Sequence, residues 1–141
     1  MAPIATTLPD HVRRFLVEQP RYLTISTIDP DGAPRQAVIW FLLDGDELVI
    51  NSRVGRRWPS NLLRDPRIAA SVSDSAAELW VGFRGEATAV PEPDQAQSDI
   101  AEMARRFHRD PATIEARIRE FEAQRRISFR VRIAEIHDHL A

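Results

Sequence analysis

The joins between the first strands predicted in this chain are too short to hold crossover helices. Asp29-Pro30-Asp31-Gly32 predicts a turn between strands at residues 21–28 and 34–43, and Asp44-Gly45-Asp46 predicts a turn into a strand at 47–51. Parallel neighbours need connections of roughly a dozen residues or more, whereas antiparallel neighbours need only a hairpin. The sequence therefore favours an antiparallel sheet over a helix-packed α/β architecture.

Three further strands and a helical insertion complete the predicted domain. We expect a short helix at residues 8–19 and strands at 67–73, 78–90 and 126–136. Helical periodicity between about residues 93 and 122 predicts two helices inserted before the last strand. We therefore predict a mainly β fold, a single domain over residues 1–141 in which six antiparallel strands form a barrel with short helices.

Two glycines lie inside the longest predicted strand, in Gly82-Phe83-Arg84-Gly85. Glycine within a strand usually marks a bulge or a bend, which the closing of a small barrel requires. We therefore expect this strand to bend at the glycines.

The last predicted strand alternates between apolar and polar positions. Apolar residues occupy every second position from 127 to 133, and Ser128, Arg130 and Arg132 stand between them. Because successive side chains of a strand point to opposite faces, these three residues are expected to face water or a ligand.

The stretch from Asn51 to Pro66 combines the parts from which phosphate sites are built. Gly55 permits a turn with outward-pointing amides, and Pro59 is expected as the first residue of a short helix. The free amides and the dipole at the start of that helix favour an anion. Arg56 and Arg57 add planar cations that match phosphate oxygens. For the arginine pair alone, a solvated basic loop is the alternative interpretation.

Several residue types that carry common chemistries are missing from the chain. The sequence has no cysteine, which excludes disulfides and thiolate nucleophiles, and no lysine, which excludes Schiff-base chemistry and a Walker phosphate loop. Its five glycines never form a dinucleotide-binding G-x-G-x-x-G pattern. We find no nucleophile and base pair, so no catalytic residue is assigned. No metal site is predicted, because His137-Asp138-His139 is interpreted as a solvated tail.

Charge and hydropathy bear on partners and location. The net charge of −2 argues against bulk electrostatic binding to nucleic acid or to an anionic membrane. The first ten residues lack a basic start and an apolar run, and the longest apolar stretch, residues 37–43, is far shorter than a membrane span. We therefore expect a cytoplasmic protein.

The order of these elements and motifs resembles the pyridoxamine 5'-phosphate oxidase-like split β-barrel superfamily, and within it the branch of oxidoreductases that use the deazaflavin coenzyme F420. The resemblance covers the chain from the first helix to Ile136. Its most specific parts are Asp31-Gly32-x-Pro34 and Gly55-Arg56-Arg57, followed by Asn61-Leu62 and Arg64-Asp65-Pro66-Arg67.

The resemblance implies a homodimer with two equivalent cofactor sites at the interface, and the charge and hydropathy given above predict no membrane partner. The deazaflavin ring would lie against the second strand, and reduced F420 would pass a hydride to an electron-poor small organic acceptor. The implied ring contacts are Val38, Ile39 and Trp40, and the implied phosphate and tail contacts are Asn51, Ser52, Arg53, Arg56, Arg57 and Asn61.

Two tryptophans are further candidate cofactor contacts. Trp58 stands where many relatives have a phosphate-binding lysine, and it either stacks on the ring or packs on the barrel. Trp80 either covers a ring across the subunit interface or belongs to the core.

Two alternative functions remain open from the sequence. The same fold could bind FMN, which also presents a phosphate. A non-catalytic barrel could instead carry a cofactor or bind single-stranded nucleic acid through Trp58 and neighbouring arginines, since such barrels combine stacking platforms with a basic groove. The near-neutral charge counts against nucleic acid.

Overall fold

A computed structural model describes residues 6–140 as one curled antiparallel sheet with four helices. The strands are β1 Leu23–Ile28, β2 Pro34–Ile39, β3 Leu42–Asp44, β4 Glu47–Arg53, β5 Arg67–Asp74, β6 Leu79–Ala89 and β7 Arg126–His139. The helices are α1 Asp10–Val17, α2 Arg57–Arg64, α3 Pro93–Phe107 and α4 Pro111–Glu122. The predicted mainly β fold and the helical insertion before the last strand are confirmed.

The sheet has seven strands, so the prediction of six was wrong. Their order is β2-β1-β5-β6-β7-β4-β3, and every neighbouring pair is antiparallel. The strand expected at residues 34–43 breaks after Ile39, because β2 pairs with β1 at one end of the order and β3 pairs with β4 at the other. Trp40 and Phe41 bridge the two ends, which brings the edges of the curled sheet together as a split barrel.

Gly85 of β6 marks an irregularity in the sheet, where Arg84 pairs with Glu135 and Gly85 with Ile133, so the extra residue, Ala134, lies on β7. The pairing of β6 with β7 shifts register between Arg84 and Gly85. A Cβ atom added to Gly85 would lie 2.0 Å from the carbonyl oxygen of Arg132, so no larger residue fits there without moving the backbone.

The helical insertion covers the outer face of β4 and β7. Val49, Ile100, Met103 and Phe121 form a second apolar cluster beside the main core of the barrel. Ser128 was expected to face water or a ligand, but it is fully buried because α3 packs over it. Alternation within one strand does not show what an inserted helix will cover.

Two local predictions are corrected by the structure. Helix α2 begins at Arg57, with Arg56 as its N-cap, rather than at Pro59. His137-Asp138-His139 is exposed, as expected, but it forms the end of β7 and pairs with β6 rather than being an irregular tail. Asp138 also binds His11 of α1, with 2.5 Å between the carboxylate and the ring nitrogen Nε2. Within residues 6–140, no helix combines the length and the apolar character that crossing a membrane requires.

Candidate functional site

A cavity of about 360 Å³ lies where β2, β4 and the start of α2 meet the helical insertion. It opens beside the break between β2 and β3 that joins the two ends of the sheet. Its lining residues are Tyr22, Val38, Ile39, Trp40, Asn51, Ser52, Arg56, Trp58, Ile100, Met103, Arg117, Phe121, Gln124 and Arg126.

The wall formed by β2, α3 and α4 is aromatic. Trp40 stacks on Phe107 with 5.4 Å between ring centroids, and Phe121 meets Trp40 edge-on at 6.2 Å. The guanidinium carbon of Arg117 lies 4.9 Å from the ring centre of Phe121. Such a wall suits a flat conjugated ring, which gains from stacking as well as from removal from water.

Arg126 is the most buried cation of the cavity, and its hydrogen-bond partners are neutral. Its Nε donates to Asn51 Oδ1 at 3.0 Å, and its Nη1 donates to Gln124 Oε1 at 2.8 Å. Burial first, and then the charges of Arg56, Arg53 and Arg117, lower the pKa of Arg126 to about 10. Within residues 6–140, no carboxylate pairs with Arg126, so the cluster holds excess positive charge that an anion would neutralise.

The start of α2 faces the same cavity. Gly55 has φ of +95°, which places it in the left-handed region and turns the chain from β4 into the helix. The first amides of a helix have no intrahelical acceptor, and α2 has neither a side-chain cap nor an acidic residue in its first turn. Arg56, at the N-cap, lines the cavity. The helix start and Arg56 therefore add to the positive potential around Arg126.

Arg57 points away from the cavity into a separate group that we call the Asp29 cluster, composed of Asp29, Arg35, Arg57 and Asn61. Arg35 Nε donates to both oxygens of Asp29 at 3.0 Å, and Asn61 Nδ2 donates to Asp29 Oδ1 at 2.9 Å. These two interactions, in that order, hold the pKa of Asp29 at about 2. Arg57 Nη1 lies 3.6 Å from Asp29 Oδ1. Arg57 therefore lies within ion-pair distance of a carboxylate, which it shares with the closer Arg35.

The cavity brings together seven of the eleven predicted cofactor contacts. These are Val38, Ile39, Trp40, Asn51, Ser52, Arg56 and Trp58. Arg53 lies beside the cavity, opposite Arg126 in the pairing of β4 with β7. Arg57 and Asn61 belong to the Asp29 cluster, and Trp80 stacks on His139 at 4.1 Å, outside this cavity.

Trp58 packs against the barrel at the floor of the cavity. It is 7% exposed, and its ring centroid lies 5.9 Å from that of Phe129. A side chain this buried offers no open platform for a nucleic acid base. Trp58 therefore packs on the barrel and also lines the cavity, and its contact with a cofactor ring stays a prediction.

Sequence reasoning missed the contribution of α4 to the cavity. Phe121 follows the apolar stripe of that helix and looks like ordinary core, and Arg117 looks like a solvated charge. Arg126 is not among the cofactor contacts that the resemblance implied. The available signal was that Arg126 opens a strand immediately after an insertion that ends in polar residues.

The lining offers binding groups rather than acid and base groups. No aspartate, glutamate or histidine is among the described residues that line the cavity. Nor do any three histidine or acidic side chains within residues 6–140 come close enough to hold a metal ion. The arrangement can bind a flat ring next to an anion, and a bound ring that carries the reaction itself needs no more than this.

The family model described as pyridoxamine 5'-phosphate oxidase matches residues 8–139. The chain therefore belongs to the pyridoxamine 5'-phosphate oxidase family, whose fold includes oxidoreductases. No curated protein matches the chain.

Solved structures share the fold over nearly the whole chain. An F420 reductase is 25% identical, with a TM-score of 0.69, over 88% of this chain and 94% of its own. A conserved hypothetical protein from Mycobacterium tuberculosis is 20% identical, with a TM-score of 0.74, over 99% and 90%. A heme storage protein from Vibrio cholerae is 18% identical, with a TM-score of 0.70, over 94% and 95%. The last two similarities establish the fold alone.

Proposed function

We propose that this protein is an oxidoreductase that binds reduced F420 and delivers its hydride to an electron-poor small organic acceptor. The observation that carries the proposal is Arg126, a half-buried cation whose pKa is lowered to about 10 and whose partners are neutral, beside an aromatic wall. A site with this charge is incomplete without an anion. The similarity to an F420 reductase favours the deazaflavin as the molecule that carries the anion and the ring.

The residues present fit such a cofactor. Val38, Ile39 and Trp40 would hold the ring against β2, with Met103 and Phe121 closing the opposite side. Arg56, Arg126 and the first amides of α2 would bind the phosphate. When bound, the deazaflavin supplies the hydride chemistry.

The protein contributes binding, orientation and the exclusion of water. Met103 and Phe121 are buried in the cluster between β4 and the helical insertion, so the inner wall is apolar and excludes water. A wall that excludes water strengthens the electrostatic contacts to a bound cofactor. Ser52, 5% exposed at the end of β4, offers a hydroxyl to a polar edge of the ring. We assign no side chain as proton donor to the acceptor.

We also propose that the active form is a homodimer. The outer rim of the cavity carries Tyr22 and Val38, whose exposed fractions are 61% and 66%. A second subunit laid over this rim would bury both and close the site, which one chain leaves open. Sedimentation equilibrium is expected to give twice the chain mass of 16.0 kDa, and a monomer at micromolar concentration would contradict the dimer.

Binding is tested by titrating the cofactor-free protein with F420 and, in parallel, with FMN, followed by fluorescence. We expect tighter binding of F420, and we expect Arg126→Met to weaken it about ten- to hundredfold through loss of charge-assisted hydrogen bonds. Arg119→Met, which removes an exposed arginine from the outer side of α4, is the matched control and should bind as the parent does.

The titration also separates the alternatives. Preference for FMN would place the protein with flavin-dependent oxidoreductases of the same fold. The positive charge of the cavity is compatible with this alternative, because FMN also carries a phosphate. Binding of neither cofactor would contradict the proposal. Equal loss in Arg126→Met and Arg119→Met would show that the cofactor binds elsewhere.

A further inference from the structure

A buried carboxylate interrupts the apolar face of α3. The helix buries Ala96, Ile100 and Met103 against the sheet, and Asp99 lies on the same face with 7% of its surface exposed. Burying a carboxylate costs free energy unless hydrogen bonds compensate it, and an apolar residue of similar volume often serves stability as well or better. Packing alone therefore does not explain Asp99.

Asp99 ends a chain of hydrogen-bonded side chains that begins in the cavity. Arg126 Nε donates to Asn51 Oδ1 at 3.0 Å, and Asn51 Nδ2 donates to Ser128 Oγ at 2.9 Å. Ser128 Oγ then donates to Asp99 Oδ2 at 2.7 Å. The second carboxylate oxygen accepts from Gln95 Nε2 at 2.8 Å. The chain crosses from β7 to β4, returns to β7 and ends on α3.

The carboxylate fixes the direction of every donor in this chain. A carboxylate only accepts, so the Ser128 hydroxyl hydrogen points to Asp99 and a lone pair of its oxygen is left for Asn51. The other Nδ2 hydrogen of Asn51 goes to the carbonyl of Ala96 at 2.9 Å. Asn51 must then present its oxygen to Arg126. A reversed amide would turn its NH₂ group against the Nε–H of Arg126.

We propose that Asp99 is a positioning residue of the cavity, acting through Ser128 and Asn51 to hold the guanidinium of Arg126 in one orientation. Gln124 fixes Nη1 from another side at 2.8 Å. Among the described residues no acceptor binds Nη2 of Arg126. The contacts at Nε and Nη1 hold Nη2 in place, and Nη2 is therefore available to donate to an anion. The identity of that anion rests on the proposed function, whereas the orientation of Arg126 does not.

Two readouts test the positioning in the full-length protein. The first is the ¹⁵Nε–Hε signal of Arg126 in the cofactor-free protein, which reports the bond to Asn51. The second is the Kd for F420. Ser128→Ala and Asp99→Leu should each broaden or shift the signal and raise the Kd about five- to tenfold, because one charge-assisted contact becomes misplaced. Asp99→Asn retains an oxygen acceptor for Ser128 and should stay within about twofold of the parent.

Glu102→Leu, which removes an exposed carboxylate from the same helix, is the matched control and should leave both readouts unchanged. If Asp99→Leu does not fold, as judged by circular dichroism, Ser128→Ala decides the question. An unchanged Arg126 signal in Ser128→Ala, or a Kd for F420 that matches the parent, would overturn the proposal. If the parent itself binds no F420, the proposed function fails and the Arg126 signal still decides the positioning.

Discussion

Arg56 and Arg57 are neighbours in sequence but lie in opposite electrostatic surroundings. Arg56 lines the cavity beside Arg126. Burial and neighbouring positive charges lower the pKa of Arg126. Arg57 approaches Asp29, whose pKa is lowered by Arg35 and Asn61. Among the described residues no carboxylate pairs with Arg126, whereas Arg57 shares the carboxylate of Asp29 with Arg35. Uncompensated charge suits binding, and compensated charge suits stability.

The largest expected effect on stability comes from Asn61→Leu, which disrupts the Asp29 cluster and changes no residue that lines the cavity. Asn61 is 1% exposed and donates to Thr27 Oγ1 at 3.1 Å and to Asp29 Oδ1 at 2.9 Å. Asn61→Leu should lower the free energy of unfolding by roughly 2 kcal/mol, because buried acceptors lose their donor. Urea denaturation measures this, with Ser60→Ala on the exposed side of α2 as control.

The same variant sharpens the comparison between the two regions. If Asn61 is structural, folded Asn61→Leu binds F420 as the parent does. Weaker F420 binding by Asn61→Leu, with an unchanged free energy of unfolding, would show that Asn61 belongs to the cofactor site.

The second expected effect is acid sensitivity of the Asp29 cluster. The pKa of Asp29 is lowered from 3.8 to about 2, first by Arg35 and then by Asn61. A carboxyl whose folded pKa is depressed adds stability that is fully present above its unfolded pKa and is lost as pH falls through its folded pKa. The contribution of Asp29 should therefore disappear between about pH 4 and pH 2.

Carbon-detected NMR of the Asp29 carboxyl measures this titration. Arg35→Gln removes the largest cause and should move the Asp29 pKa back towards its ordinary value. A titration of Asp29 that is the same in Arg35→Gln as in the parent would contradict the assigned cause.

The smallest expected effect is on the unliganded cavity. Arg56 adds repulsion to Arg126, so Arg56→Gln should raise the midpoint of thermal unfolding by about 1 °C in the cofactor-free protein. Arg57→Gln should lower it slightly, because Asp29 loses a partner. Calorimetry compares the two. Shifts of the same sign would mean that the two arginines do not differ as described.

Much of the fold could be predicted from the sequence, because short turns and the strict alternation of apolar and polar residues are compatible with few sheet topologies. The Asp29–Gly32 turn specified a hairpin, and the glycines of β6 marked an irregularity that the structure places at the pairing of Gly85 with β7. The break after Ile39 could not be predicted, because Trp40 and Phe41 continue an apolar run. At this point the chain passes from β2, which pairs with β1, to β3, which pairs with β4. A single sequence shows periodicity but not which distant strand a segment will join.

Only those parts of the candidate site that lie close together in the sequence could be predicted. The glycine turn and the helix start after it could be read from residues 51–66, but the divergence of Arg56 and Arg57 follows from α2 beginning at Arg57. Arg117 and Phe121 lie more than 50 positions beyond residue 66 and reach the cavity because α4 folds back towards β4, and Arg126 reaches it because β7 pairs with β4. Contacts of this kind depend on tertiary packing.

The most direct test of the contrast compares the affinities of Arg56→Ala and Arg57→Ala for F420 by fluorescence titration. Loss of one phosphate contact should raise the Kd of Arg56→Ala about tenfold, while that of Arg57→Ala stays within about twofold of the parent. Equal losses in the two variants, or a larger loss in Arg57→Ala, would contradict the division between a binding arginine and a structural one.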